Sequence, residues 1–119
     1  MSTSKTKLEH FLDSQNKFLT ELLERTSKKQ IEYSRHQDPF HNFKKAAQLS
    51  LTENEVAVAW EFCVKHLQSL KDLILDYNNE VEISKDIVDE KIGDIIIYMT
   101  LIRGMLLQNQ RNDVKKNRN

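Results

Sequence analysis

The chain has 119 residues, with 18 basic and 18 acidic side chains and therefore no net charge at neutral pH. This length allows one compact domain with a small core, and the balanced charge excludes a general attraction to nucleic acid or to acidic lipid. The sequence contains only two glycines and one proline, which is too few for a fold with many tight turns. We therefore predict an all-α protein.

Cysteine content and hydropathy indicate the cellular setting. Cys63 is the only cysteine, so an intrachain disulfide framework is excluded, and the thiol is expected to be reduced and buried. The first residues, MSTSKTKLEHFLD, lack the apolar stretch of a signal peptide. No apolar run reaches the roughly 18 residues needed to span a bilayer. We expect a cytoplasmic protein without a membrane partner.

Two helices are predicted in the first half of the chain. The first runs from about Lys5 to Ser34, and its large apolar side chains recur on one helical face: Leu8, Phe11, Leu12, Phe18, Leu19, Leu22 and Leu23. Pro39 fixes its own φ angle and disfavours helix at the residue before it, which predicts a turn near position 38. A short helix from Phe40 to Leu49 is expected to follow.

Two long helices are predicted in the second half. Thr52 and Glu55 have the spacing of a capping box at the start of the third helix. Its apolar seam alternates steps of four and three residues: Val56, Trp60, Cys63, Leu67, Leu70, Ile74 and Tyr77. Ser84 is a plausible N-cap for the last helix. The seam of that helix repeats the same steps: Val88, Ile92, Ile95, Met99, Ile102 and Leu106.

The predicted architecture is a helical bundle of three long helices and one short helix. Residues 1–108 are expected to form a single domain, and residues 109–119 a disordered polar and basic tail, since NQRNDVKKNRN has almost nothing to bury. The last helix is apolar nearly all round, as is typical of a helix in the middle of a bundle or at a subunit interface. We therefore expect the bundle to be completed by dimerisation.

Three acidic residues are candidate metal ligands. Glu90 and Asp94 lie one turn apart at the start of an apolar stripe, and Glu61 on the preceding helix could join them. Mg²⁺ bound to a nucleotide prefers such hard oxygen ligands. Ordinary alternatives exist for two of them. Glu90 can stabilise the helix N-terminus and Glu61 can pair with Lys65, whereas a charge at Asp94 among apolar neighbours is harder to explain structurally.

A second group of polar residues surrounds the block DPFHNF, residues 38–43. Arg35, His36 and Lys44 could meet phosphates, and Asp38 and Asn42 could recognise a base or ribose. Lys65 and His66 extend the polar set onto the third helix, although a lone histidine is more often structural than a ligand. The structural alternative is that Asp38 caps the short helix and that the two phenylalanines of the block anchor it to the core. The residues alone leave both alternatives open.

The segment DEKIGDIIIYMTLIRGML, residues 89–106, resembles the last core helix of MazG-like, all-α nucleotide pyrophosphatases. The wider layout, roughly Lys28 to Leu106, is similar to a phage-borne group of small helical proteins of the nucleotide-modification-associated or MazG-like type, with DPFHNF the most distinctive block. This resemblance implies a dimer or tetramer that cleaves nucleoside triphosphates with Mg²⁺, or Mn²⁺, held by acidic helix residues. A phage-encoded protein would act in the host cytoplasm.

The sequence departs from the pyrophosphatase pattern at two places. The acid that typically precedes the final Asp by three residues is replaced by Lys91. A first motif of two glutamates three apart is not clear either, since only Glu21 and Glu24 have that spacing and they lie in the first helix. The departures leave the complete ligand set unassigned by motif.

Two functions therefore stay open at this stage. The first is a MazG-like protein that binds nucleoside triphosphates with Mg²⁺ and, where active, hydrolyses them to monophosphate and pyrophosphate. The second is a non-enzymatic helical protein that docks on a protein partner. A DNA-binding accessory role ranks well below both, because the basic tail has no aromatic residues and the chain has no net positive charge.

Overall fold

The computed structural model describes the backbone of residues 4–33 and 38–117 and the side chains of residues 4–30 and 38–108. Within these ranges the chain forms four helices and no strand: α1 (Lys7–Tyr33), α2 (His41–Leu49), α3 (Glu55–Asn78) and α4 (Lys85–Asn117). The predicted all-α class, with three long helices and one short one, is confirmed. None of the helices in these ranges is long and apolar enough to cross a membrane.

Backbone contacts divide the chain into two units, Met1–Tyr33 and Ser34–Asn119. The first unit contains α1 and the second contains α2, α3 and α4. The sequence predicted one domain over residues 1–108, and the division falls inside that range. Helix α4 continues to Asn117, through most of the segment that the sequence predicted as a polar tail.

Helix α1 is amphipathic, and its start is set by Thr6. The Thr6 hydroxyl accepts a hydrogen bond from the Glu9 N–H at 3.1 Å, which satisfies one of the free N–H groups of the first turn. Toward this end of the helix, the apolar side chains of Leu8, Phe11 and Leu12 are exposed to solvent. An amphipathic helix gains most of its stability from covering such a face, so this part of α1 is an uncovered apolar surface.

Helix α2 follows the turn that Pro39 predicted. Phe43 and Lys44 donate their backbone N–H groups to the Phe40 carbonyl at 3.0 Å, closing the first turn. The helix then buries Phe43 and Ala47. Phe40 and Phe43 both pack in the core, so the structural alternative for this pair is the one that the fold adopts.

The capping box predicted for α3 is wrong. Asn54 is the N-cap, and its side-chain oxygen accepts from the N–H groups of Val56 and Ala57 at 2.9 and 3.0 Å. Thr52 instead contacts the Ser50 hydroxyl at 3.1 Å, in the connection before the helix. Asn and Thr can both cap helices, and the sequence spacing favoured the residue that lies two positions too early.

Helices α3 and α4 are joined by residues 79–84. Val81 donates its N–H to the Asp76 carbonyl at 2.9 Å and Glu80 donates to the Tyr77 carbonyl at 3.1 Å. This pair of bonds is a Schellman motif, with Glu80 at the left-handed position, φ 60°. Ser84 then caps α4, as predicted, by accepting from the Ile87 N–H at 3.2 Å. The short connection makes α3 and α4 neighbours.

The core of this unit lies where α2 meets the first half of α3 and the second half of α4. Phe43, Ala59 and Met105 form its buried centre, and the partly buried residues around it are Phe40, Val56, Tyr98, Leu101 and Ile102. Gly104 is required here because a Cβ atom at this position would lie 2.7 Å from Cζ of the Phe40 ring. The missing side chain therefore allows the short helix to approach α4 closely.

The buried faces of α3 and α4 are rotated from the predicted seams. On α3, Val58, Ala59, Cys63 and Leu73 are buried, whereas Trp60, Ile74 and Tyr77 of the predicted seam are at least half exposed. On α4 most contacts with the neighbouring helices lie one position before the predicted seam, at Lys91, Asp94, Tyr98, Leu101 and Met105, while Ile102 of the predicted seam also packs against the core. Polar residues therefore form part of the α3–α4 contact, and apolar residues remain beside it.

Candidate functional site

The candidate site lies on the α3–α4 contact, immediately next to the core. His66 of α3 faces Asp94 of α4, with 3.5 Å between His66 Nδ1 and Asp94 Oδ2. The side chains are 34% and 47% exposed, respectively. At this separation a protonated imidazole would form an ion pair with the carboxylate, and a small adjustment would bring a neutral ring within hydrogen-bond distance. The carboxylate therefore faces α3 and is open to water.

Tyr98 lies one turn after Asp94 and packs against the other side of the site. Its ring centroid is 4.9 Å from that of His66, with the ring planes inclined at 38°. Burial raises the pKa of the Tyr98 hydroxyl, and the negative charge of Asp94 raises it further. Tyr98 is thus a neutral phenol at physiological pH, and its ring supplies a flat surface for the imidazole.

Aromatic contacts connect this site to the core. Phe43 of α2 lies edge-on to Tyr98, with ring centroids 6.0 Å apart, and its centroid lies 6.1 Å from that of Phe62 on α3. Lys65 places its ammonium group 6.0 Å from the centroid of the Phe62 ring, at the outer limit of a cation–π contact. The floor of the site is therefore formed by aromatic side chains, and the Lys65 ammonium group lies at its edge.

The three predicted metal ligands are only partly brought together. Glu90 and Asp94 lie one turn apart on α4, as predicted, and Glu90 is exposed. Glu61 is exposed on α3, five residues before His66, which turns it about 140° around that helix from the residue that faces Asp94. Among the described side chains, no three histidine, cysteine or acidic residues lie close enough to hold a metal ion. The metal role of these residues stays a prediction.

Two of the predicted nucleotide-binding residues bind each other. The Asp38 carboxylate accepts from the Phe40 N–H at 2.9 Å and from the Lys44 ammonium at 2.8 Å. The hydrogen bond from Lys44 is the main reason why the pKa of Asp38 lies below its usual value, and the same bond raises the pKa of Lys44. Asp38 thus caps the turn before α2.

The other predicted nucleotide-binding residues differ in their surroundings. Arg35 and His36 lie outside the described residues. Asn42 is exposed at the start of α2, and Lys65 is exposed on α3 beside His66. Lys65 directly precedes His66 in the sequence. Among the described residues of this set, it is the cation nearest along the chain to the His66–Asp94 contact.

Lys91, the residue that replaces an acid of the pyrophosphatase pattern, has a structural partner. Its ammonium group contacts the Ser69 hydroxyl of α3, one turn along the helix from the His66–Asp94 contact. The side chain is partly buried at this point. A carboxylate at this position of α4 would point toward α3. This chain has the positively charged Lys91 there instead.

His66, Tyr98 and Ser69 were not among the residues predicted for the site. His66 entered the sequence prediction only as the neighbour of Lys65 in the polar set, since a lone histidine is more often structural than a ligand. The register of α3 against α4 would have identified the site, because His66 and Asp94 face each other only when the two helices are paired as observed. A single sequence does not give that register.

No protein-family model matches the chain, and neither the curated proteins nor the solved structures contain a match. The resemblance to MazG-like proteins stays a prediction from the sequence.

Proposed function

We propose that this protein is a MazG-like helical protein that binds nucleoside triphosphates together with Mg²⁺, with Asp94 as the central metal ligand. The observation that carries the proposal is the position of the Asp94 carboxylate. It lies directly before the apolar residues 95–99 of α4, is 47% exposed, and faces an imidazole rather than a permanent cation. A carboxylate held in this way keeps its negative charge available for a ligand.

The residues present fit a magnesium ion that arrives on a nucleotide. Mg²⁺ keeps several waters and takes one or two carboxylates, with phosphate oxygens completing its shell. Asp94, with Glu90 one turn earlier, supplies that number. A cage of three protein carboxylates is not formed by the described residues, so the proposed ion depends on the phosphates of its ligand.

Lys65 is the proposed phosphate contact. Its side chain is exposed on α3, next to the residue that faces Asp94. Lys44 is less suited to this role because its ammonium group already binds the Asp38 carboxylate. Arg35 and His36 remain proposed ligands on the basis of the sequence.

The reaction implied by the resemblance is hydrolysis of the triphosphate to monophosphate and pyrophosphate. A bound magnesium ion would polarise the phosphates and lower the pKa of a coordinated water. Lys91 stands where the pyrophosphatases have an acid. The proposal is therefore first that the protein binds the nucleotide, and hydrolysis is an additional activity that the pyrophosphate-release assay tests separately.

The test is direct binding of Mn²⁺ and of a non-hydrolysable nucleoside triphosphate by calorimetry, followed by a pyrophosphate-release assay with ribo- and deoxynucleoside triphosphates. We expect Asp94→Asn to abolish metal-dependent binding. Asp72→Asn is the matched control, since it removes one carboxylate from α3 that bonds Gln68 and lies outside the His66–Asp94 contact. Equal binding by both variants, or no binding by the unmodified protein, would refute the proposal.

We also propose that the protein forms a homodimer. Trp60, Val64 and Ile74 lie on one stripe of α3 and are each at least two-fifths exposed, and the start of α1 exposes Leu8 and Phe11. Apolar side chains at such spacing are typical of a surface that another helix covers. Sedimentation equilibrium of the unmodified protein and of Trp60→Glu tests this: the variant is expected to be monomeric, and an unmodified monomer would contradict the proposal.

The same exposed stripe is the specific observation that favours the second function, docking on a different protein. The two functions differ in what they require of Asp94. A docking protein would bind its partner through α1 or α3 and would tolerate Asp94→Asn, whereas a nucleotide-binding protein would not. A monomer that binds no nucleotide would therefore favour the docking function.

A further inference from the structure

We infer that His66 is a positioning residue of the proposed metal site: its Nδ1 atom holds one oxygen of the Asp94 carboxylate, and the other oxygen is presented to the metal. This inference rests on the proposed function. It adds a positioning residue on α3 to a site whose predicted metal ligands lie chiefly on α4. It also assigns a role to each oxygen of Asp94.

The first support is the placement of His66 on the packed face of α3. It lies three residues after Cys63, which is fully buried, and seven residues before Leu73, which is also buried. The backbone of His66 is therefore fixed by packing on both sides along the helix. A side chain that extends from a fixed backbone loses less entropy when it holds a partner in place.

The second support is the contact between His66 and Tyr98. The ring centroids are 4.9 Å apart, and Tyr98 is itself held edge-on by Phe43 of the core. The imidazole plane is therefore set by an aromatic neighbour that cannot move freely. Because Tyr98 and Asp94 lie one turn apart on α4, the surface that fixes the ring and the carboxylate that it faces belong to the same rigid helix.

The third support is the direction of the contact. Nδ1 of His66 lies 3.5 Å from Oδ2 of Asp94, which is the one ion-pair contact of this carboxylate among the described residues, and a small side-chain rotation would bring the two atoms to hydrogen-bond distance. Ligating carboxylates in metal sites are commonly held by an outer hydrogen bond, and loss of such a partner typically weakens metal affinity by roughly 10–100-fold. His66 stands in the place of such a partner.

Three substitutions test the inference because they separate the two ring nitrogens. The amide nitrogen of asparagine can replace Nδ1 and that of glutamine can replace Nε2, while alanine replaces neither. The measurement is the dissociation constant for Mn²⁺ in the presence of a saturating non-hydrolysable nucleoside triphosphate, by electron paramagnetic resonance, with thermal unfolding recorded for each variant. We expect His66→Asn to bind within about threefold of the unmodified protein and His66→Ala and His66→Gln to bind at least roughly tenfold more weakly.

A spectroscopic measurement on the unmodified protein checks the contact without metal. The ¹⁵N signals of His66, assigned by their absence in His66→Asn, report whether Nδ1 carries the proton. We expect a protonated Nδ1 whose signal shifts in Asp94→Asn. Replacement of Tyr98 gives a second check, since Tyr98→Phe keeps the ring and should preserve Mn²⁺ affinity, whereas Tyr98→Leu should lower it.

The outcomes separate this inference from the proposed function. If the unmodified protein binds Mn²⁺ and all three His66 variants bind equally well, His66 has no positioning role. If glutamine preserves affinity and asparagine does not, the contact runs through Nε2 and the assignment of Nδ1 is wrong. If the unmodified protein binds no Mn²⁺ with or without a nucleotide, the proposed function itself fails.

Discussion

The two ends of the α3–α4 pair are held together in different ways. At one end, Met105 of α4 and Ala59 of α3 are completely buried under α2. At the other end Leu73 is buried beside the polar contact of Lys91 with Ser69, while Leu75 and Tyr77 are exposed. Apolar burial supplies most of the stability at the first end, and hydration persists at the second.

The His66–Asp94 contact lies between these ends, and this position explains its properties. Packing around Cys63 and Tyr98 fixes the two side chains from the core side. The open end keeps both of them accessible to water. A ligand site needs rigid residues and an approach for the ligand, and the boundary between a packed and an open region provides both.

The largest effect is expected from Met105→Ala, which creates a cavity at the packed end. The side chain is 0% exposed, and loss of a buried methionine side chain typically costs about 2–5 kcal/mol of unfolding free energy. Leu75→Ala at the open end, where the side chain is 47% exposed, is the control and should cost less than about 1 kcal/mol. Urea unfolding of both variants measures the contrast, and equal losses would remove the distinction between the two ends.

An intermediate effect is expected at Gly104, where α2 approaches α4. Gly104→Ala should gain about 1 kcal/mol of helix propensity but lose about 1–3 kcal/mol by overpacking, because its Cβ would lie 2.7 Å from the Phe40 ring. We expect a net destabilisation of about 1 kcal/mol. In a Phe40→Ala background the clash is absent, and the same substitution should be stabilising. A Gly104→Ala effect that is identical in both backgrounds would show that the ring moves away without a cost.

The smallest effect is expected from the Asp38–Lys44 ion pair, which is partly exposed. A double-mutant cycle with Asp38→Asn and Lys44→Met should give a coupling energy of about 0.2–1 kcal/mol. The pKa of Asp38 is lowered, so its contribution is present above the unfolded value of about 3.9 and is lost as pH falls through the folded pKa. The pKa of Lys44 is raised, so its contribution is present below about 10.4 and is lost as pH rises through the folded pKa.

Unfolding free energies of the four proteins of this cycle, measured from about pH 3 to pH 10, give the coupling energy at each pH. We expect the coupling energy to be constant near neutral pH and to fall at the acidic end of this range. High salt should reduce the coupling energy near neutral pH, as expected for an exposed pair. A coupling energy of zero across the whole pH range would mean that the two side chains do not interact in solution.

The helices were predictable because local sequence determines them. The shortage of glycine and the amphipathic period define α1, Pro39 places the turn before α2, and Ser84 caps α4. The predicted Thr52 cap failed because Asn54 competes for the same role two residues later. Local signals therefore gave the elements and left their exact starts open to competition between neighbouring residues.

The faces of the helices were not predictable in the same way. On α3, Trp60 and Cys63 both fit the predicted apolar seam, yet only Cys63 is buried in the chain. On α4, polar Asp94 lies on the contact face because His66 meets it from α3. Which of two adjacent helix faces is covered depends on the helix that packs against it. The spacing of apolar residues along one helix does not contain that information. The His66–Asp94 site belongs to this second category.

The short connection between α3 and α4 has a consequence for the order of folding. Its Schellman motif ends α3 at Asn78, with Glu80 in the left-handed position after the helix, and Ser84 caps the next helix a few residues later. Helices that are adjacent along the chain form contacts of short sequence separation, and such contacts close rapidly because little loop entropy is lost. We expect the α3–α4 hairpin to form early and α2 to dock on it afterwards, so that the two halves of the His66–Asp94 contact meet before the aromatic floor is complete.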